Sequence, residues 1–173
     1  PFAGHTHYLG ALWGGNALML LAHDTLRVAL LTDHIPLHKV TAAITIDLIK
    51  QKTKQLGQTL QSDFGCQRPK IALLGLNPHA GDQGVIGNED DTILKSAITA
   101  LKKEGNVISG PFAADGFFGQ KKYQKSDAVL SCYHDQGLVG LKTLAFGQGV
   151  NVTTGLPYVR TPPDHGTDFE IAG

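Results

Sequence analysis

LRVALLT at Leu26–Thr32, KIALLGL at Lys70–Leu76 and DAVLSC at Asp127–Cys132 are the three stretches whose reading decides the fold. Each is a short, continuous apolar run rich in Val, Ile and Leu, the pattern of a strand buried on both faces of a sheet. Helical patterns separate the runs, which predicts parallel strands joined by crossover helices. The expected class is therefore α/β, a mostly parallel sheet flanked by helices. Parallel strands end at one edge of a sheet, and open α/β sheets bind ligands in the crevice at that edge. His34, His79 and His134 each lie just past one of the three runs.

A single histidine after a strand is ordinarily a surface or loop residue. Three from the same structural position point instead to a shared site, and three imidazoles together are first of all a metal site. Imidazole suits Zn, Co, Ni, Cu and Fe, and a mixed imidazole and oxygen shell also admits Mn or Mg. The surroundings are loop chemistry: Asp33-His34-Ile35-Pro36, Asn77-Pro78-His79-Ala80-Gly81 and Tyr133-His134-Asp135-Gln136-Gly137. Asp33 and Asp135 are placed to complete the shell or to orient an imidazole through its second nitrogen. The spacing is too wide for a zinc finger or a His-Glu-x-x-His helix, so only the fold can assemble the site.

With 173 residues, the chain suffices for one domain or for pieces of two. It is 42% hydrophobic and 17% charged, and its 15 basic residues balance 15 acidic ones. That balance gives no electrostatic case for nucleic acid or a membrane surface. No apolar run approaches the length of a membrane span, and nothing at the start resembles a signal peptide. Cys66 and Cys132 form no metal-binding pair and suit a reducing, cytoplasmic compartment. The chain opens at Pro1 and stops at Gly173 where a helix would be starting, so an excerpt truncated at both ends is expected.

Between the strands, Tyr8–Ala22 reads as a weak helix and Leu37–Gln61 as a long one opened by Pro36. Lys52 interrupts the apolar face of that long helix, and Gly57 marks a candidate break. The glycine-rich loop Asn77–Gly87 precedes a helix with Asn88 as N-cap, Glu89, Asp90 and Asp91 in its first turn, and Lys102 and Lys103 in its last. Ser109–Asp115 reads as extended, and Gln136–Leu144 as helical. Lys142, two helical turns beyond His134, and Arg160, after the apolar Gly155–Val159, are candidate anion-binding groups. His5, Thr6 and Asn151 join them from glycine-punctuated segments.

Several motifs are recognisable together. Gly4-His5-Thr6, Gly75-Leu76-Asn77-Pro78-His79-Ala80-Gly81 and Tyr133-His134-Asp135-Gln136-Gly137-Leu138 come first in chain order. Gly149-Val150-Asn151-Val152-Thr153 and Arg160-Thr161-Pro162-Pro163-Asp164-His165-Gly166-Thr167 follow. In this order they resemble the 4-hydroxythreonine-4-phosphate dehydrogenase family of pyridoxal phosphate biosynthesis, over its central and C-terminal portion.

The resemblance implies an isocitrate/isopropylmalate dehydrogenase-like fold. Residues 1–135 would form the substrate, metal and dimerisation domain, and 136–173 a partial return into the dinucleotide-binding domain. It implies metal-dependent, NAD- or NADP-linked oxidation of 4-phosphohydroxy-L-threonine at its C3 hydroxyl, then decarboxylation to 3-amino-2-oxopropyl phosphate. The family's metal ligands fall on His34, His79 and His134, with Zn, Mg or Co as the ion. Its substrate contacts fall on His5, Thr6, Lys142, Asn151 and Arg160. Asp164, His165, Gly166 and Thr167 resemble a nicotinamide-cofactor loop, and Lys142 and Asp115 are the candidate bases. A homodimer whose metal site draws on both subunits is implied as well.

Three positions depart from the family pattern: His7 stands where Glu is usual, Gly116 where Thr commonly follows the Asp, and Gly140 where Pro is common. The rival readings are a dehydrogenase of another phosphorylated hydroxy acid, a metal-dependent phosphoester hydrolase, and a non-catalytic portion in which metal braces a dimer.

Overall fold

The structure, a computed structural model, describes residues 17–24, 26–145 and 148–155. Six strands form one sheet. They are β1 (Leu18–His23), β2 (Leu26–Leu30), β3 (Lys70–Leu74), β4 (Val107–Phe112), β5 (Ala128–Ser131) and β6 (Val150–Thr154), in the order β4-β3-β5-β2-β1-β6. β4, β3, β5 and β2 run parallel to one another, and β2, β3 and β5 are the three apolar runs read as parallel strands. β1 pairs antiparallel with both β2 and β6, so the sheet is mixed.

β1 corrects the expectation of a helix across Tyr8–Ala22; residues 8–16 of that stretch lie outside the described residues. An apolar run without clear periodicity does not distinguish a buried helix from a strand. Here pairing decides, because Leu20 and Leu21 find partners in β2 on one side and in β6 on the other.

The strands β1, β2, β3 and β5 are buried on both faces, and the alternation sorts their side chains into two cores. Leu18, Leu20, Ala29, Ile71, Leu73 and Leu130 face a first helical layer. That layer holds α1 (Leu37–Ala43), α2 (Ile46–Ser62) and α3 (Lys95–Lys103). Met19, Leu21, Val28, Ala72, Leu74 and Val129 face the opposite layer. There α4 (Ala114–Gly119) and α5 (His134–Ala145) contribute Phe117, Leu138 and Leu141.

The long helical stretch breaks at Ile44 and Thr45 and not at Gly57, which lies inside α2. Thr45 caps α2 by accepting a hydrogen bond at Oγ1 from the Leu48 amide, 3.1 Å. Lys52 is half-buried and donates to the Ala17 carbonyl at 2.6 Å. Burial holds its ammonium below the ordinary lysine range, against an opposing pull from Asp33. Ahead of α3, Asp90–Leu94 winds as one wide turn. Asn88 serves that turn through its carbonyl, which accepts from the Asp91 and Thr92 amides, and not through a side-chain cap. The segment predicted as extended over Ser109–Asp115 is β4 only as far as Phe112, and Asp115 lies in the first turn of α4.

Candidate active site

β3, β5 and β2 are adjacent and parallel, so their C-terminal ends share one edge, and each of the three histidines follows one of these ends. Beyond the end of β2 the pairing with β5 continues. The Leu31 amide donates to the Ser131 carbonyl at 2.8 Å, and the Thr32 amide to the Cys132 carbonyl at 3.2 Å. The Thr32 hydroxyl adds a 2.7 Å bond to the same Cys132 carbonyl. His34 and His134 each come two residues after that last pair, so the register carries them to the same place. Their ring centroids are 5.7 Å apart at an interplanar angle of 46°.

His134 is not in a loop, as the sequence pattern suggested, but opens α5. Gly137 is what lets the helix start there. A Cβ at that position would come within 2.5 Å of the Ser131 Oγ and 2.6 Å of a Val28 methyl. Only a glycine allows the helix backbone so close to β5 and β2. His134 Nδ1 lies 2.7 Å from Asp135 Oδ1. In the tautomer that carries its hydrogen on Nδ1, the ring donates to Asp135 and keeps a lone pair on Nε2, the second-nitrogen arrangement typical of metal-bound imidazole.

His79 is presented differently. It is exposed and sits in the tight turn Pro78–Gly84, where every φ from His79 to Gly84 is positive. It does not join the other two: among the described residues no group of three His, Cys, Asp or Glu side chains is close enough to hold a metal ion. One chain therefore assembles two imidazoles of the expected three. The donor chemistry still suits a divalent ion, since two imidazoles stand side by side and an acidic group lies against one of them.

Of the substrate candidates, Lys142 shares a depression of about 510 Å³ with His134, Asp135, Leu138, Val139 and Thr143. The two-turn spacing on α5 is what brings it there. Asn151 lies in β6, with its amide oxygen buried and without a hydrogen-bond partner among the described residues. Asp115 is exposed, accepts from the Gly116 amide at 2.7 Å and does not line the depression. His5, Thr6, Arg160, Asp164, His165, Gly166 and Thr167 lie outside the described residues, as does His7.

Two residues at this edge have a role that the sequence reading did not assign. Gln136 bridges two strand ends, accepting from the Cys132 amide at 2.7 Å and donating to the Gly75 carbonyl at 2.5 Å. Asp90, read as a first-turn helix charge, is wholly buried and accepts hydrogen bonds from the chain just before His79. A paired hydrogen-bonding role for a glutamine or a buried aspartate has no local sequence signature.

This geometry defines an α/β protein that gathers His34, His134 and Lys142 near the C-terminal edge of its parallel strands. The family model of the pyridoxal phosphate biosynthetic protein PdxA matches residues 1–173, and the chain belongs to that family. A 4-hydroxythreonine-4-phosphate dehydrogenase of Bacteroides thetaiotaomicron is 47% identical over 174 residues, covering 99% of this chain and 48% of the relative. Its counterpart from Prosthecochloris aestuarii is 49% identical over 176 residues, covering 100% and 52%.

Among solved structures, the 4-hydroxythreonine-4-phosphate dehydrogenase of Klebsiella pneumoniae superposes with a TM-score of 0.86 at 37% identity, over 98% of this chain and 52% of that one. A terephthalate 1,2-cis-dihydrodiol dehydrogenase of Burkholderia xenovorans reaches 0.82 at 26% identity, over 98% and 55%. The chain thus spans about half the length of the curated relatives it matches. Among the described residues no helix is long and apolar enough to cross a membrane, and Cys66 and Cys132 are both free thiols.

Proposed function

We propose that this chain carries the metal- and substrate-holding part of an NAD- or NADP-dependent 4-hydroxythreonine-4-phosphate dehydrogenase. In this reading it acts in the cytoplasm on 4-phosphohydroxy-L-threonine, with 3-amino-2-oxopropyl phosphate as the product after decarboxylation. The observation that carries the proposal is the His34–His134 pair, beside the depression that also holds Lys142, in a member of the PdxA family. His34, His134 and His79 are the ligands of a divalent ion (Zn, Mg or Co), with His79 supplied by the second copy of a homodimer. The exposed position of His79, apart from the pair within its own chain, supports that division. Bound there, the ion would make the C3 hydroxyl more acidic and stabilise the charge left by loss of CO₂.

The chain's own groups do the rest. Asp135 holds the His134 ring. Lys142, His5, Thr6, Asn151 and Arg160 take the phosphate and amino-acid ends of the substrate, so that binding energy fixes the reacting carbon. Asp164, His165, Gly166 and Thr167 hold the nicotinamide cofactor. Lys142 is the better candidate for accepting the hydroxyl proton, because it shares the depression with His134 and Asp115 does not.

Elemental analysis of the purified protein is expected to find an equimolar divalent ion that His34→Ala and His134→Ala both lose. Nicotinamide reduction should depend on that ion and on 4-phosphohydroxy-L-threonine. Retention of metal in either variant overturns the site assignment. A Lys142→Ala variant with raised KM and unchanged kcat would make Lys142 a binding group and not the base.

A second substrate is favoured by one comparison: the Burkholderia neighbour named for a dihydrodiol shares the fold at 26% identity, which makes a related hydroxy acid or diol the alternative substrate. Comparing kcat/KM for the two substrate classes separates them.

A further inference from the structure

We infer that Asp90 is a positioning residue that holds the His79 turn in its left-handed coil, and so sets how His79 is presented to a metal ion. The inference rests on the proposed ligand role of His79. Asp90 is 0% exposed, and its carboxylate faces three N–H donors from one short segment. Oδ1 accepts from the Leu76 amide at 2.8 Å, and Oδ2 from the Asn77 amide and the Asn77 Nδ2, each at 3.0 Å. Asn77 Nδ2 also reaches Glu89 Oε2 at 2.9 Å. The last two residues before the turn are thereby tied to the first helical turn ahead of α3.

The turn needs such an anchor. His79, Ala80, Asp82 and Gln83 have φ of 52°, 51°, 42° and 55°. Each such residue costs about 1–2 kcal/mol relative to right-handed backbone. The hydrogen bonds closing the turn (Ala80 amide to Asn77 carbonyl, 3.0 Å, and Ile86 amide to Gly81 carbonyl, 3.0 Å) lie within the segment itself. They close the coil without orienting it on the sheet. Asp90 supplies the orientation, and the backbone is packed around it. A Cβ on Gly75 would meet the Ala80 Cβ and Asp90 Oδ1, each at 2.9 Å, and one on Gly81 would meet the Gly87 carbonyl at 2.9 Å and the Asp90 Cβ at 3.3 Å. Strain held by surrounding structure at a loop bearing a ligand is a form of preorganisation.

The test is a Co²⁺ absorption titration of the full chain, read beside thermal melting and amide hydrogen exchange. His79→Ala should weaken Co²⁺ binding. Asp90→Asn, which sets an NH₂ against a backbone donor, should weaken it about tenfold, the low end for groups that support a ligand. The Leu76 and Asn77 amides should exchange faster in that variant, and Asp91→Asn, which removes the neighbouring charge, should leave affinity unchanged. Co²⁺ affinity within twofold of wild type in Asp90→Asn, with His79→Ala impaired, overturns the inference alone. Unchanged affinity in His79→Ala overturns the reading on which it rests. Should Asp90→Asn not fold, Asn77→Ala removes one of the three donors and should weaken Co²⁺ binding more than it lowers Tm; unchanged affinity there also overturns the inference.

Discussion

His134 and His79 leave neighbouring parallel strands at the same edge of the sheet, yet the protein presents them by opposite means. His134 begins a helix whose backbone is pressed onto β5 and β2 at Gly137, so close packing seats the helix start and Asp135 then holds the ring. His79 sits exposed in a left-handed coil whose Ala80 and Gly81 lie against Gly75 and Asp90, and whose entry is tied down by the buried Asp90 carboxylate. The comparison teaches that a regular element seats a side chain mainly through close packing, whereas an irregular one leans on directed hydrogen bonds. The first is broken by added volume and the second by a lost acceptor.

The largest expected effect is on the packed side. Gly137→Val would place a side chain inside the Ser131 and Val28 contacts, pushing α5 off the sheet and costing about 3 kcal/mol. Urea unfolding measures this, and Co²⁺ binding should fall with it because His134 moves. A variant as stable as wild type would show that α5 is not seated by its glycine.

Next comes the bridge between the two regions. Gln136→Leu leaves the Cys132 amide and the Gly75 carbonyl without their partner, at about 1–3 kcal/mol. It should loosen the β3 and β5 ends together, so hydrogen exchange ought to rise on both sides of the comparison. A rise confined to one strand end would mean that Gln136 does not couple them.

The smallest effect serves as a control far from both. Lys50 and Lys54 on α2 pair with Glu104 just past α3 at 2.8 and 2.7 Å, and hold its carboxyl down to about 2. A carboxylate whose folded value is depressed adds stability above its unfolded value, and that stability is lost as pH falls toward the folded one. Glu104→Gln should therefore lie slightly below wild type near neutrality. The gap should close between about pH 4.5 and pH 2, with metal binding untouched throughout. The pair is exposed, so the gap will be small and will shrink with salt.

The strands β2, β3 and β5, their parallel course and the edge they share were legible in local pattern, because a strand buried on both faces is apolar at most of its positions. Lys142 was legible for a similar reason, since two helical turns return a side chain to the same face. β1 was not, because a short apolar run carries no period until a neighbouring strand supplies the pairing. The break at Thr45 was missed in favour of Gly57, since a cap bond to the Leu48 amide outweighs a modest propensity cost.

By itself, then, the amino-acid sequence determined the α/β class, the family and the residue types at the site, all of which rest on side-chain chemistry repeated at short range. Tertiary structure alone decided that His34 meets His134 while His79 stands apart, and that Asp90 turns inward from a helix start to hold a strained loop. Those outcomes depend on which backbone amides lack a partner after the strands have paired, and that is a property of the assembled sheet and not of any one segment.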